Sequence, residues 1–352
     1  MSIFKENKQA TTPISNLGEF GLIEHITKSF KTQHNTTTKG VGDDAAILNF
    51  SEEKYHLLST DMLVEGVHFD LSYFPLKHLG YKAIAVNVSD ICAMNGIPLQ
   101  ITVSIAVSNR FPIESIEELY SGIQAACSTY NLDLVGGDTT TSNQGLVISI
   151  SILGEVLKDK VTYRAGAKEN DLLVVTGDLG GAYLGLQILN REKQIFLENP
   201  EVQPDLQGND YSLQRQIKPE ARVKLVEILN KLEIIPPSMI AVSDGLTSEI
   251  LHLSKNSDVG ITIYEDKIPI DHTTMHLASE LNLNPIFCAL NGGEDYELLF
   301  TISQKDYEKL KKDVDFTIIG HVTNKSEGNN FIDKAGASHP ITAQGWDPIL
   351  EK

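Results

Sequence analysis

The spacing of apolar and polar positions along the chain switches repeatedly between the two-residue period of a strand and the 3.6-residue period of a helix. In the first half, residues 55–60 predict a strand running into Asp61. Over 76–94, Leu79, Ala83, Val86 and Ile91 recur at helical spacing, and Gly96 and Pro98 supply a stop. Strands follow at 99–107, at 132–135 (ending on Gly136-Gly137-Asp138) and at 146–156, with a helix at 113–130. The second half predicts strands at 171–176, 260–264 and 296–302, and helices at 180–190 and 220–232. A further strand at 239–242 leads into a helix opened by Ser243-Asp244, and 197–219 reads as a long polar connection expected to be mobile. Alternation of this kind predicts an α/β protein.

The polar, turn-rich stretch 158–170 sets a domain boundary. The expected organisation is a polar tail at 1–18, an N-terminal domain at 19–157 and a C-terminal α/β domain at 158–352. Each half carries a Ser-Asp pair and a Gly-Gly-acid turn (Ser89-Asp90 with Asp138; Ser243-Asp244 with Glu294), a weak hint of duplication.

With 352 residues, 41% hydrophobic and 22% charged, the chain has the composition of a folded protein. Its net charge of −18 argues against a nucleic-acid binder. A phosphate-bearing ligand would need cations between itself and so many carboxylates. No run of ~18 uncharged apolar residues predicts a membrane span. The start lacks the basic-then-apolar layout of a signal peptide. Cys92, Cys127 and Cys288 are far apart and read as reduced thiols, so a cytoplasmic location is expected.

Five aspartates sit where strands are predicted to end or helices to begin: Asp43, Asp44, Asp61, Asp90 and Asp138. Each alone is also an ordinary turn or cap residue. Asp90 resists that reading, because it falls inside the most apolar helix, with Asn87 on the same face. In open α/β sheets ligands gather at the carboxyl ends of strands, where Asp61 and Asp138 are expected. Converging carboxylates call for a hard cation, and Mg²⁺ suits oxygen ligands and phosphates. The chain has no HExxH, no paired-cysteine pattern, no GxxxxGK[ST] and no GxGxxG after a strand. Residues 176–181 (Thr-Gly-Asp-Leu-Gly-Gly) are either a phosphate loop or a tight turn.

The strings GVGDDAAIL (40–48), STDMLVEGVHF (59–69), YKAIAVNVSDICAMNGIP (81–98), GGDTT (136–140), SDGL (243–246) and GGEDYELLF (292–300) stand in one order along nearly the whole chain. In that order they resemble the thiamine-monophosphate kinase family, within the aminoimidazole-ribonucleotide-synthetase-like superfamily. The resemblance implies a two-domain subunit with mixed sheets that forms a homodimer, its N-terminal sheet building a dimer barrel. It also implies ATP and several Mg²⁺ ions in a cleft, and ATP-dependent conversion of thiamine phosphate to thiamine diphosphate. By position, Asp44, Ser59, Thr60, Asp61, Asp90, Asp138 and Asp244 match metal ligands. Tyr120, Gly137, Asp138, Arg164 and Ser243 match nucleotide contacts, and His68, Glu294 and Trp346 match the substrate side. Asp43 reads as a turn residue or a supporting partner.

One position departs from the pattern: Ala241 stands where the family usually has a metal-binding aspartate. Two rival readings stay open. One is another ATP-using enzyme of the superfamily; against it, no cysteine precedes Cys92 and the chain does not end in one. The other, favoured only by Ala241, is a non-catalytic nucleotide-binding regulator.

Overall fold

The computed structural model describes residues 14–311 and 316–342. Trp346 lies outside the described residues.

Two mixed sheets organise the chain. The first has six strands: β1 (Thr37–Lys39), β2 (Ala46–Leu48), β3 (Lys54–Val64), β4 (Ile97–Val107), β5 (Asp133–Thr141) and β6 (Val147–Leu157). Their order is β1-β2-β3-β6-β4-β5, and only the β4–β5 pair is parallel. Helix α1 (Gly18–Thr27) precedes it, and α2 (Leu76–Ala93) and α3 (Ile113–Tyr130) cover one face.

The second sheet has seven strands: β7 (Leu172–Thr176), β8 (Met239–Ala241), β9 (Gly260–Tyr264), β10 (Leu298–Ile302), β11 (Phe316–Thr323), β12 (Asn329–Ile332) and β13 (Ser338–Pro340). Its order is β13-β12-β9-β11-β7-β10-β8. Around it run α4 (Gly181–Glu198), α5 (Asp210–Ile217), α6 (Val223–Lys231), α7 (Leu246–Ser257), α8 (His272–Glu280), α9 (Pro285–Asn291) and α10 (Gln304–Leu310). Together these elements form the expected α/β fold with mixed sheets.

Helix α2 joins the two halves. It is apolar nearly all round, which makes it a buried helix, and it packs on β3, β4, β6, α3, β8 and α6. Ile84, Val88 and Ile91 have no exposed surface. Each such side chain contributes about 1.5–3 kcal/mol relative to exposure. Two charges interrupt this surface, Lys82 and Asp90.

Among the described residues, no helix covers the opposite face of the first sheet. Along β3, Leu57 and Leu63 are buried against α2, while Leu58, Thr60 and Met62 point away and are exposed. At the edge, every residue of β5 is exposed, including Leu134 and Val135.

Three expectations need correction. Asp61 and Asp138 do not sit at strand ends: β3 runs on to Val64 and β5 to Thr141. The strand-end rule belongs to parallel doubly wound sheets, and this sheet is mostly antiparallel. Secondly, 197–219 is not one irregular connection but contains α5, whose Ser212 and Gln216 are buried. Thirdly, the paired motifs occupy different local structures. Asp90 is inside a helix and Asp138 inside a strand, whereas Asp244 precedes α7 and Glu294 lies in a loop.

Candidate active site

Alternation along β3 turns Ser59 and Asp61 toward α2, where Asp90 faces them. The Ser59 hydroxyl donates to Asp90 Oδ2 at 2.6 Å and reaches the Asp44 carbonyl at 3.1 Å. Asn87, one turn before Asp90, accepts the Asp61 amide at 3.2 Å. Asp44, Ser59, Asp61, Asp90, Arg164, Ser243 and Asp244 all line one cleft of about 850 Å³. Thr60 borders this cleft but donates to the Ile150 carbonyl on the open side of the sheet.

Burial is the leading cause of the unusual acidities here. It pushes Asp61 up to about 6, helped by the charges of Glu19 and Asp44. Asp90 is raised well above the usual carboxylate range by burial and then by Asp61 and Asp44. Asp44 is also raised by burial, though Arg164 opposes the shift. Carboxylates that raise one another's pKa in a cleft are the pattern of a functional site.

Arg164 reaches Asp44 with two parallel contacts, Nε to Oδ2 at 3.0 Å and Nη2 to Oδ1 at 3.2 Å. Its amide donates to Asp43 at 3.1 Å, so Asp43 anchors the arginine's backbone. Asp44 takes a further hydrogen bond from the Ala241 backbone, which places Ala241 beside the acidic group.

A second cavity, of about 480 Å³, is lined by Phe69, Tyr73, Phe74, Tyr183, Phe287 and Gln216 among others. His68 and Glu294 border both cavities and mark where they meet. His68 Nδ1 accepts the Val64 amide at 3.0 Å, which puts the proton of the neutral ring on Nε2. Burial lowers its pKa, so the neutral form prevails at pH 7. Glu294 sits in a loop with positive φ at Gly293 (69°), Glu294 (59°) and Tyr296 (51°). A side chain at Gly293 would meet the Ser243 carbonyl at 2.6 Å, so the loop needs glycine there. Two non-glycine residues held left-handed store strain of the kind found at ligand sites.

Three expected site residues lie elsewhere. Asp138 and Gly137 are on the edge strand β5, and Tyr120 is half-buried on α3; none lines the cleft. Gly137 has a packing reason to be glycine, since a Cβ there would lie 1.9 Å from the Val103 carbonyl. The glycine-rich turn at 176–181 is not a phosphate loop either. The amides of Gly180 and Ala182, at the start of α4, donate to the protein's own Asp295.

Glu249 and Lys82 join the site although neither matches a metal, nucleotide or substrate position of the family strings. Glu249, fully buried on α7, accepts the amides of Ser243 and Asp244, each at 2.9 Å, and so fixes the Ser-Asp turn. Burial, and then Asp244, pushes its pKa up to about 8. In the unfolded chain it titrates near 4.5. Its contribution to stability is therefore complete at low pH and disappears as pH rises through 8. In EDTA, the wild type should lose roughly 2 kcal/mol from this group between pH 6.5 and 8. Glu249→Gln should flatten the fall; urea unfolding at both pH values would reveal equal slopes if the assignment is wrong.

Residues 42–156 match the family model of the AIR synthase related protein, N-terminal domain. The chain is 34% identical to the thiamine-monophosphate kinase of Bacillus subtilis (strain 168) over 336 residues, covering 94% of this chain and 99% of that one. It is also 34% identical to that of Aquifex aeolicus (strain VF5), covering 95% and 98%. The structure of AaThiL complexed with AMPPCP and TMP superposes with a TM-score of 0.81 at 32% identity, covering 96% of this chain and 99% of that one. A hydrogenase maturation protein HypE bound to ATP shares the fold at TM-score 0.68 and 16% identity. By fold and acidic cleft, this is an enzyme of the AIR-synthase-related class. Within that class, the chain belongs to the thiamine-monophosphate kinase family.

Proposed function

We propose that the protein transfers the γ-phosphoryl group of ATP to the phosphate of thiamine phosphate, yielding ADP and thiamine diphosphate. One observation carries this reading: an acidic cleft and an aromatic-lined cavity meet at His68 and Glu294. The first suits a triphosphate with its cations, and the second a flat cationic acceptor. The neighbour bound to AMPPCP and TMP supports the same pair of ligands.

The donor set fits Mg²⁺, being entirely oxygen: Asp44, Asp61, Asp90 and Asp244 with Ser59, while the Thr60 hydroxyl is turned to the open side of the sheet. Among the described residues, no three His, Cys, Asp or Glu side chains gather tightly enough to hold an ion alone. That agrees with an ion bound through one or two carboxylates, waters and substrate phosphates. Bound there, Mg²⁺ would neutralise the charge of the phosphates. The chain's own residues do the rest. Arg164 exchanges Asp44 for nucleotide phosphate, and the His68 Nε2–H donates toward the acceptor phosphate. The acceptor oxygen is already ionised at neutral pH, so no general base is required. Catalysis consists of positioning and charge neutralisation, with direct in-line transfer. Cys92 is not the nucleophile of a covalent route: burial raises its thiol, and it does not line the cleft.

In this reading residues 19–157 hold ATP and Mg²⁺ and form the dimer, 158–352 complete the cleft, and Trp346 stays assigned to the acceptor. A cytoplasmic location is part of it; among the described residues no helix is long and apolar enough to cross a membrane. Mass detection of thiamine diphosphate after incubation with ATP, Mg²⁺ and thiamine phosphate tests the function, and nucleotide binding without product would favour a regulator. Ala241 beside Asp44 should weaken metal binding, so Ala241→Asp is expected to lower the Mg²⁺ concentration for half-maximal activity about tenfold, one ligand's worth. An unchanged half-saturation would remove that idea.

A further inference from the structure

Among the described residues, Lys82 is the only lysine or arginine in the fully buried class, with 0% of its surface exposed. Its ammonium lies 2.8 Å from Glu294 Oε1, donates to the Gln216 carbonyl at 3.1 Å, and stands 5.5 Å from the centroid of the Phe74 ring. The other oxygen of the same carboxylate, Glu294 Oε2, accepts from Gln216 Nε2 at 2.7 Å. Both oxygens are thus held, one from α2 and one from α5. The Glu294 amide is fixed as well, donating to the Ser243 carbonyl at 2.7 Å.

Burying an ammonium costs several kcal/mol, and a buried pair seldom repays that as net stability. The place of the pair explains it better. Glu294 borders both cavities at the point where they meet. Lys82 and Asp90 share one rigid helix, eight residues or about 12 Å apart along its axis. One end of α2 therefore serves the aromatic cavity, and the other serves the acidic cleft.

We infer that Lys82 is a positioning residue for the acceptor: by fixing the Glu294 carboxylate at the neck between the cavities, it sets where the cationic acceptor rests and how far its phosphate extends into the acidic cleft. This inference rests on the proposed function. Lys82 itself does not touch the acceptor, since its three donor directions go to a carboxylate, a carbonyl and a ring face.

The test is a cycle of Lys82→Met, Glu294→Gln and the double variant, with thiamine phosphate and ATP varied separately. Lys82→Met should lower kcat/KM for thiamine phosphate by about 100-fold, the loss typical of a misplaced substrate, and leave KM for ATP within about twofold. Because both residues act through one carboxylate, the double variant should be no worse than the poorer single one. A threefold or smaller loss in Lys82→Met, an equal rise in KM for ATP, or multiplying losses would each overturn the inference. If Lys82→Met shows no cooperative melt, Gln216→Leu replaces it, since it releases the other oxygen of the same carboxylate. A raised acceptor KM alone is then expected, and an unchanged one overturns the inference. Wild type that makes no thiamine diphosphate defeats the functional reading first, in the same assay.

Discussion

Asp90→Asn should lower kcat by about 10³-fold and, in metal-free buffer at pH 7.5, raise the melting temperature. The two effects have one origin. Asp90 lies across from Ser59 on a buried helix, its acidity raised well above the usual range by burial and by Asp61 and Asp44. A group whose pKa is raised by folding stabilises the fold below its unfolded value near 3.8, and that contribution disappears as pH rises. At pH 7.5 the metal-free fold is thus penalised for burying this carboxyl, which the unfolded chain holds ionised in water. Asparagine keeps the shape and an acceptor for the Ser59 hydroxyl, removes the charge, and cannot bring a cation to the phosphates. Each kcal/mol relieved would raise the melting temperature by roughly 2–4 °C or somewhat less for a chain of this length. Scanning calorimetry in EDTA, with product formation in Mg²⁺, measures both. A lower melting temperature would show Asp90 to be a structural residue, and activity within tenfold of wild type would remove it from the metal site. A residue chosen for fold stability loses both properties together; opposite signs identify a charge kept for function.

How far the sequence revealed this site depended on the range of each interaction. Asp90 was legible because a carboxylate in an apolar helix contradicts its own surroundings. The same reasoning applies to Lys82, eight residues earlier in that helix, although the family resemblance gives it no role. Its carboxylate partner Glu294 lies on a distant loop, and its carbonyl contact to Gln216 spans 134 residues of chain. No local pattern encodes such a pairing. Asp44 is legible as one of the turn-forming aspartates, whereas its partner Arg164, 120 residues away, is legible only through the family resemblance, and the geometry adds that they grip each other. Periodicity located the long elements well: the helix at 113–130 matches α3 to the residue, and the strand at 260–264 matches β9. It did not find α5, whose two buried residues, Ser212 and Gln216, are themselves polar and whose place is fixed by Arg215 reaching Glu297, just before β10, at 2.8 Å. The placement of Asp138 followed from a rule about sheet type, and sheet type is a property of the whole fold.

Asp138 leads to the second large effect. Mixing Asp61→Asn chains with Asp138→Asn chains, each nearly inactive alone, should restore about a quarter of wild-type activity, as expected for a two-fold dimer with shared sites. Strand register supplies the reason. Met62 pairs with Ser149, Ser149 with Ser104, and Ser104 with Asp138, so all four share one face of the sheet. Met62 is exposed on the open face, whereas Asp61 pairs with the buried Ile150 and faces α2. Asp138 is therefore on the wrong side for its own Asp61, and three strand spacings, about 14 Å, away. In the proposed homodimer it would join an acidic cleft by entering that of the second copy. The open face and the fully exposed edge strand, with Leu134 and Val135 outward, are surfaces that a monomer would be expected to protect. In a mixed dimer one site is intact, taking Asp61 from one chain and Asp138 from the other, and the second site lacks both. Half the dimers are mixed and half their sites work. If Asp138 instead served its own chain, no mixed dimer would hold an intact site and the mixture would stay as inactive as its parts.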